Sequence, residues 1–459
     1  MTALAARIRA LPERHGRRTL VLLALIATLG LGLRTQAVVH PVANPADDSH
    51  AYFALAKALY EEGSFGGPEF DDSSDWSPGA PLLYAASFYA TGGAREGTAR
   101  AIEALLGVAA ILVVFALGER LGGRTAGLLA ALGVAVYPPF IHSTGELMSE
   151  PPAILTLPAA VLAFLWAARI GERGGGAPPR SWWSWLIPGL LFGLTAMLRP
   201  EYLFVAAAFA ILAAVGLWRS AGWRRALAAG AALLAAVAVT VLPWTIRNAV
   251  VLDRLVPIST GSGKALYVGT FLPADGEYQR VKALLYKRYG HRTLPPDSEA
   301  LNEVDPVPLF DRVAARYPDL PRDSALGKIG KQNFSKFFGE DPLGYLAMTA
   351  RKTGRMWSSG VGEAMSSGVG RALQILLVAL GVAGLVLLGT RRRRWEVAAL
   401  ATPIVLVSAV GAISLAAPRR NEVLMTLVFP LAALTLTWAT AAISSGSKWS
   451  PQQASSRPN

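Results

Sequence analysis

Apolar residues in this chain come in blocks of membrane-crossing length, not at the spacing of a soluble amphipathic fold. The first block, near Thr19–Val39, is too long for a signal peptide and lacks its cleavage pattern, so it reads as a retained transmembrane helix. Further blocks lie near Arg100–Leu117, Thr125–Ile141, Pro151–Ile170, Ser184–Leu198, Tyr202–Leu217, Ala226–Ile246, Arg371–Gly389, Trp395–Leu415 and Val423–Ile443. The pattern predicts an all-α polytopic membrane protein of about ten transmembrane helices.

Charge fixes the expected topology. The Ser184–Leu217 block is one long helix or a hairpin broken at Arg199-Pro200-Glu201. Basic residues in short loops prefer the cytoplasm. Arg7, Arg9, Arg14, Arg17 and Arg18 place the N-terminus inside; Arg120 with Arg124, and Arg173 with Arg180, then fall inside after even numbers of crossings. Arg219, Arg224 and Arg225 stay inside only if the block is a hairpin, and Arg391–Arg394 then also fall inside. Both termini are thus expected in the cytoplasm of a cell whose plasma membrane, a bacterial inner membrane, holds the chain. Two segments are left as large extracytoplasmic loops. The expected division is 1–246 as an N-terminal transmembrane module with its outer loop at 40–99, 247–370 as an outer cap, 371–443 as C-terminal helices, and 444–459 as a disordered tail.

Composition agrees, with 53% of residues hydrophobic and 16% charged. The net charge of +13 sits largely at helix ends expected inside, where it anchors topology and meets anionic membrane lipids; no nucleic acid is expected. Without cysteine there is no disulfide or thiolate metal site. His40, His50 and His142 show no tight metal-ligand spacing, so no metal and no cofactor is expected.

The chemistry-bearing residues gather in the outer segments. The first loop is acidic, with Asp47, Asp48, Glu61, Glu62, Glu69, Asp71, Asp72 and Asp75, and Ala51–Leu59 has the period of a short helix on the membrane surface. At its head, Asp47 and Asp48 are placed either to cap the helix or to act as a base. The second loop holds Gly-rich Ser259–Gly263, Pro-rich Leu294–Pro306 and expected helices near Leu309–Arg316 and Pro342–Trp357. Arg199, Arg247, Arg419 and Arg420 stand at outer helix ends against the topological bias; they suit a lipid phosphate, or pairing with Glu201 and Glu422. Lys264, in Gly261-Ser262-Gly263-Lys264, is placed to join them, although the run is not a Walker motif. Glu150 begins a membrane helix and is expected to face the protein interior. Tyr52, Tyr84 and Tyr267, with Trp76 and Trp244, are candidates to stack on a sugar or to belt the interface.

Several of these segments together resemble a known family. Asp48-Ser49-His50-Ala51-Tyr52, Pro78-Gly79-Ala80-Pro81-Leu82-Leu83-Tyr84, Leu147-Met148-Ser149-Glu150-Pro151, Leu198-Arg199-Pro200-Glu201, Pro243-Trp244-Thr245-Ile246-Arg247-Asn248 and Leu266-Tyr267-Val268-Gly269 follow in order the motifs of the lipid-sugar-dependent glycosyltransferases of the protein mannosyltransferase and aminoarabinose transferase group. Two positions depart: Ser49 stands where many relatives carry an acidic residue, and Arg419-Arg420 where relatives often carry Arg-Tyr. The resemblance implies a GT-C-like fold. It also implies inverting transfer of a sugar from a polyprenyl-phosphate donor to a lipid, glycan or protein acceptor at the outer face. In that reading Asp48, aligned by the motif, is the base in preference to Asp47, and Asp47 stands in for the second carboxylate that is absent at Ser49. Arg247, Lys264, Arg199, Arg419 and Arg420 would meet the donor phosphate, and Tyr52, Glu150, Tyr84 and Tyr267 the substrates. The competing expectation is a transporter or flippase of lipid-linked sugars, which should show repeated halves and midplane ionisable residues.

Overall fold

Each predicted apolar block is helical in the computed structural model, which describes residues 16–42, 47–66, 75–170 and 179–446. Arg7, Arg9, Arg14, Glu69, Asp71, Asp72, Arg173, the tail from 447 and the side chain of Asp47 lie outside the described residues. In chain order the helices are α1 (Arg17–Val39), α2 (Asp47–Glu61), α3 (Gly79–Thr91), α4 (Glu96–Gly122), α5 (Arg124–Val136), α6 (Pro138–His142), α7 (Glu150–Ala167), α8 (Leu186–Leu198), α9 (Tyr202–Ala221) and α10 (Trp223–Leu252). They continue as α11 (Ser262–Gly269), α12 (Tyr278–Arg288), α13 (Glu299–Asn302), α14 (Val307–Ala314), α15 (Arg322–Glu340), α16 (Pro342–Ser358), α17 (Glu363–Ser366), α18 (Gly368–Thr390), α19 (Arg394–Ile413) and α20 (Pro418–Gly446).

Eight of these, α1, α4, α7, α9, α10, α18, α19 and α20, are long and apolar enough to cross a membrane. The Thr125–Ile141 block forms a pair of helices bent by 52°, and Ser184–Leu198 forms a shorter apolar helix, Trp182–Leu198. The chain is thus a multi-pass, all-α membrane protein, and the break at Arg199-Pro200-Glu201 separates α8 from α9 as the charge count required.

The bend after α5 follows from covalent structure. In a continuous helix the carbonyls of Val134 and Ala135 would accept from the amides of residues 138 and 139, but Pro138 and Pro139 carry no N–H. The two orphaned carbonyls accept from Arg34 of α1, at 3.0 Å from Nη2 to Val134 and 3.3 Å from Nη1 to Ala135. A third bond, from Arg34 Nη1 to Gly30, holds the guanidinium in place. Room for it exists because α4 carries Gly107, where a Cβ would sit 2.2 Å from Arg34 Nε. In a bilayer, where no water replaces a missing partner, this is what allows the broken helix to persist.

At the opposite end of α4, Arg120 donates to the Leu165 and Ile170 carbonyls, and Arg393 donates to the carbonyls of Leu121 (2.6 Å) and Arg120 (3.3 Å). The loops after α4, α7 and α18 therefore share one end of the bundle, the grouping that the basic-loop count required. The other end carries both large extramembrane segments. In the first, the expected surface helix is α2, and a second helix not expected from sequence, α3, packs along it. In the second, Tyr267, Val268, Val281, Leu285, Phe310, Leu326 and Ile329 form a separate apolar core, so this segment has an interior of its own; its expected start at 247 falls inside α10, which runs on to Leu252. Its helices include the two expected near Leu309–Arg316 and Pro342–Trp357, and the Gly-rich run opens α11.

Candidate active site at the cap end of the bundle

Acidic residues favour a helix N-terminus, and α2 starts at Asp47 with Asp48 in its first turn. Ala51, Leu55 and Ala56 bury the apolar face of α2, which fixes the direction in which Asp48 emerges. Its Oδ2 accepts from Arg419 Nη1 at 2.6 Å. Arg419 lies in the first turn of α20 and also reaches Glu150 at the head of α7, with Nε 2.9 Å from Oε1 and Nη2 3.4 Å from Oε2. Arg199, between α8 and α9, donates to the same Glu150 Oε1 from Nη1 at 2.6 Å, and to Glu201 Oε1 from Nε and Nη2 at 3.2 and 3.1 Å. Arg420 Nη1 stands 3.8 Å from Glu201 Oε1.

Three carboxylates and three guanidiniums from four separate parts of the chain thus form one charge-balanced chain. It is graded in exposure: the Glu150 side chain is 1% exposed and Glu201 12%, whereas Asp48 and Arg419 are each 31% exposed. Glu150, bonded to both Arg419 and Arg199, is the buried anchor of the chain, and the Asp48–Arg419 pair is its most exposed part. Around Glu201, burial alone would raise the carboxyl pKa, but Arg199 and Arg420 outweigh it and hold the group below its ordinary value.

The short loop before α7 sets the aim of Glu150. Leu147 sits in the left-handed region at φ 55, a costly position for a leucine that must be held from outside. Tyr84 donates to the Met148 carbonyl at 2.9 Å and to Glu103; the Met148 amide donates to Glu103 at 3.2 Å, and Arg100 Nε donates to the Gly145 carbonyl at 3.1 Å. Tyr84 is fully buried and serves this loop. Tyr52 is 5% exposed, bonds with the Ser149 side chain, and meets the edge of Trp76 at 5.8 Å. Burial, with Asp48 and Glu150 nearby, pushes its phenol above the ordinary range, so it is a hydrogen-bond donor at neutral pH.

The remaining sequence candidates take other contacts. Arg247 Nη2 donates to the Phe65 carbonyl at 2.7 Å, Nη1 to Asn248 at 3.0 Å, and the guanidinium lies over the Trp244 and Phe65 rings. The Lys264 amide donates to Asp323 Oδ1 at 2.9 Å, so one backbone group of the supposed phosphate cradle is already engaged by α15. Tyr267 is 4% exposed in the cap core, against Phe271 and Phe310. Glu103, Arg100 and Ser149 are not distinguishable as site residues in the sequence: Arg100 and Glu103 lie in the polar opening turns of α4, and Ser149 is one of several polar residues beside Glu150. Among the described residues no group of three or more His, Asp or Glu side chains is set to hold a metal ion.

Arrangement and fold define the class first: an all-α, multi-pass membrane protein with a GT-C-like fold and an ionic cluster at one end of the bundle. Residues 75–244 match the family model described as dolichyl-phosphate-mannose-protein mannosyltransferase. That span contains Tyr84, Glu150, Arg199 and Glu201, and leaves Asp48, Arg419 and Arg420 outside it. Among solved structures, the archaeal oligosaccharyltransferase AglB from Archaeoglobus fulgidus, in complex with an inhibitory peptide and a dolichol-phosphate, is similar at TM-score 0.55 and 15% identity, over 96% of this chain and 52% of that one. The Archaeoglobus fulgidus oligosaccharyltransferase in complex with Zn and sulfate is similar at TM-score 0.53 and 17% identity, over 92% and 49%. ArnT from Cupriavidus metallidurans, bound to undecaprenyl phosphate, is similar at TM-score 0.40 and 14% identity, over 93% and 81%, too loosely to carry weight. The chain spans about half the length of the oligosaccharyltransferases it matches. No curated protein matches it in sequence. The resemblance expected from the motifs is found over residues 75–244, and the expected fold over nearly the whole chain.

Proposed function

We propose that this protein is a membrane glycosyltransferase that moves a sugar from a polyprenyl-phosphate donor to an acceptor hydroxyl, at the extracytoplasmic end of the bundle. The observation that carries this reading is the Asp48–Arg419 pair: a half-open carboxylate and a half-open guanidinium 2.6 Å apart, anchored by a buried ionic chain. The acceptor oxygen attacks the anomeric carbon from the face opposite the phosphate. Its proton passes to Asp48, the bond from the anomeric carbon to the phosphate oxygen breaks, and the electron pair leaves on the lipid phosphate, whose charge Arg419 meets. In the absence of donor Arg419 neutralises Asp48; a phosphate that takes the guanidinium frees Asp48 to act as base.

A groove between α18, α19 and α20 supports a lipid donor. It has about 250 Å³ of space lined by Trp357, Val378, Val382, Leu385, Ile404 and Val428. Val428 lies nine residues along α20 from Arg419, a rise of roughly 14 Å and about half a turn round the helix, so an isoprenoid tail leaving a phosphate at Arg419 reaches the groove by passing round α20. The sugar and the class of acceptor are left to experiment.

The test is transfer from a panel of radiolabelled polyprenyl-phosphate sugars by the purified protein, with membrane-extract acceptors and EDTA present, comparing the parent with Asp48→Asn. A fall of about 10²- to 10⁴-fold in the variant is expected if Asp48 is the base. Equal rates would remove Asp48 from the chemistry, and transfer only after a divalent ion is restored would overturn the metal-free form of the reading. Transport of the lipid-linked sugar without transfer would replace the enzyme reading altogether.

A further inference from the structure

Where the cap meets the bundle, α16 carries a lysine with no exposed surface. Lys352 Nζ donates to the Gly269 carbonyl at 2.6 Å and to the Ser414 carbonyl at 2.8 Å. Gly269 is the last residue of α11 in the cap, and Ser414 is the C-cap of α19 in the bundle. Both carbonyls therefore stand at the negative ends of helices, one on each side of the junction. The two ends touch: a Cβ on Gly269 would fall 2.1 Å from the Ser414 carbonyl.

Farther along α16 and just beyond its end, the helix grips the chain again. Asn421 is 1% exposed, and its Nδ2 donates to the Met356 carbonyl and, at 2.9 Å, to that of Ser359. Lys352 thus holds the chain before Arg419-Arg420 and Asn421 holds it after. The segment from Ser414 to Asn421 carries the guanidiniums that face Asp48 and Glu201, and its position is set from α16.

We propose that Lys352 is a positioning residue: its ammonium ties the ends of α11 and α19 to α16 and so sets Arg419 and Arg420 against Asp48 and Glu201. This inference rests on the transfer reading for its consequence in catalysis, but not for the lock itself.

A buried ammonium with carbonyls as its hydrogen-bond partners is costly to keep charged. Burial, with Arg355 on α16 and Arg420 on α20 adding repulsion, lowers Lys352 from its ordinary 10.5 to about 8; Asp275, in the turn before α12, opposes this. The charge that holds both helix ends is therefore lost within an accessible alkaline range. The effect on global stability has the opposite sign. Because the folded value is depressed, the unfolded chain holds the proton more firmly between 8 and 10.5, so resistance to unfolding rises with pH there while the local tie loosens. A lysine that only stabilised the fold would not loosen one segment while global stability rose.

The test is hydrogen–deuterium exchange of the 414–421 segment in the purified full chain at pH 7 and pH 9.5, corrected for the intrinsic rate. Exchange in the parent should quicken several-fold at the higher pH with no fall in melting temperature. Lys352→Arg, whose guanidinium keeps its charge, should stay slow at both, and Lys352→Met should be fast at both. Exchange in the parent that does not respond to pH overturns the lock, even if neither variant folds. Transfer should decline on the alkaline side in the parent and hold in Lys352→Arg. A responsive segment in a protein that transfers no sugar would leave the lock standing and remove the glycosyltransferase reading, so the two fail separately.

Discussion

Two arginines at the cap-side half of the bundle make opposite use of the same group. Arg34 is 1% exposed and its guanidinium donates to carbonyls, two of them stripped of partners by Pro138 and Pro139. Arg419 is 31% exposed and is bound to carboxylates, Asp48 and Glu150. In the first case the charge repairs a backbone defect and is sealed in. In the second it joins ionisable side chains at an opening. Under the proposed function, what distinguishes the reactive arginine from the structural one is its partners and access, not its conflict with the bias toward basic residues in cytoplasmic loops.

The largest effect expected from breaking this contrast is on rate. Arg419→Leu should lower sugar transfer by roughly 10²- to 10³-fold, since the charge that the proposed mechanism sets against the leaving phosphate is removed. Stability should change little, because Glu150 keeps Arg199 at 2.6 Å and the part-exposed Asp48 can hydrate. Donor turnover that survives the substitution would take Arg419 out of the chemistry.

Arg34→Leu should do the reverse, leaving turnover per folded molecule near the parent value while costing about 2–4 kcal/mol of stability from bared carbonyls. The decisive comparison is a double-mutant cycle with Pro138→Ala and Pro139→Ala, which restore the N–H groups those carbonyls lack. Denaturant unfolding in detergent should show coupling of at least about 1 kcal/mol between the arginine and the prolines. Strict additivity would mean that Arg34 is held for some other reason than the one its contacts suggest.

The contrast also explains what could be read from the sequence. Span positions were legible because bilayer thickness imposes a length on apolar runs, and the Arg199-Pro200-Glu201 break because basic loops must share a side. Asp48, Tyr52, Glu150, Arg199, Arg419 and Arg420 were all singled out, and the fold brings them together from distant parts of the chain. Their pairing was not legible: from the residues alone Arg199 and Arg420 suit a lipid phosphate as well as Glu201, and only geometry shows Glu201 beside both. Helix α3 was missed because its 13 residues are too few to cross a bilayer and its apolar pattern has no clear face. Arg34 was passed over as one charge in an apolar run, because its partners lie about a hundred residues away.

A third set of guanidiniums tests how far partners alone decide an arginine's role. Asp275 is held in the left-handed region at φ 54 and accepts from Arg351 at 2.7 Å and from Arg355 at 2.6 Å, tying the turn before α12 to α16. Burial favours protonation of Asp275, but the two arginines outweigh it and hold its carboxyl below the ordinary 3.8. The stability this contributes is present above 3.8 and is lost as pH falls through the lower folded value. Because Arg351 is 56% exposed, solvent screens much of the pairing, so the whole effect should be small. Melting in detergent should therefore show the parent only slightly more stable than Asp275→Asn at pH 6, with the gap closing below pH 3.8 and transfer at neutral pH almost unchanged. A large loss of transfer in Asp275→Asn would mean that this exposed, carboxylate-paired cluster feeds the site through α16, and that partners and access are not enough to tell a reactive arginine from a structural one.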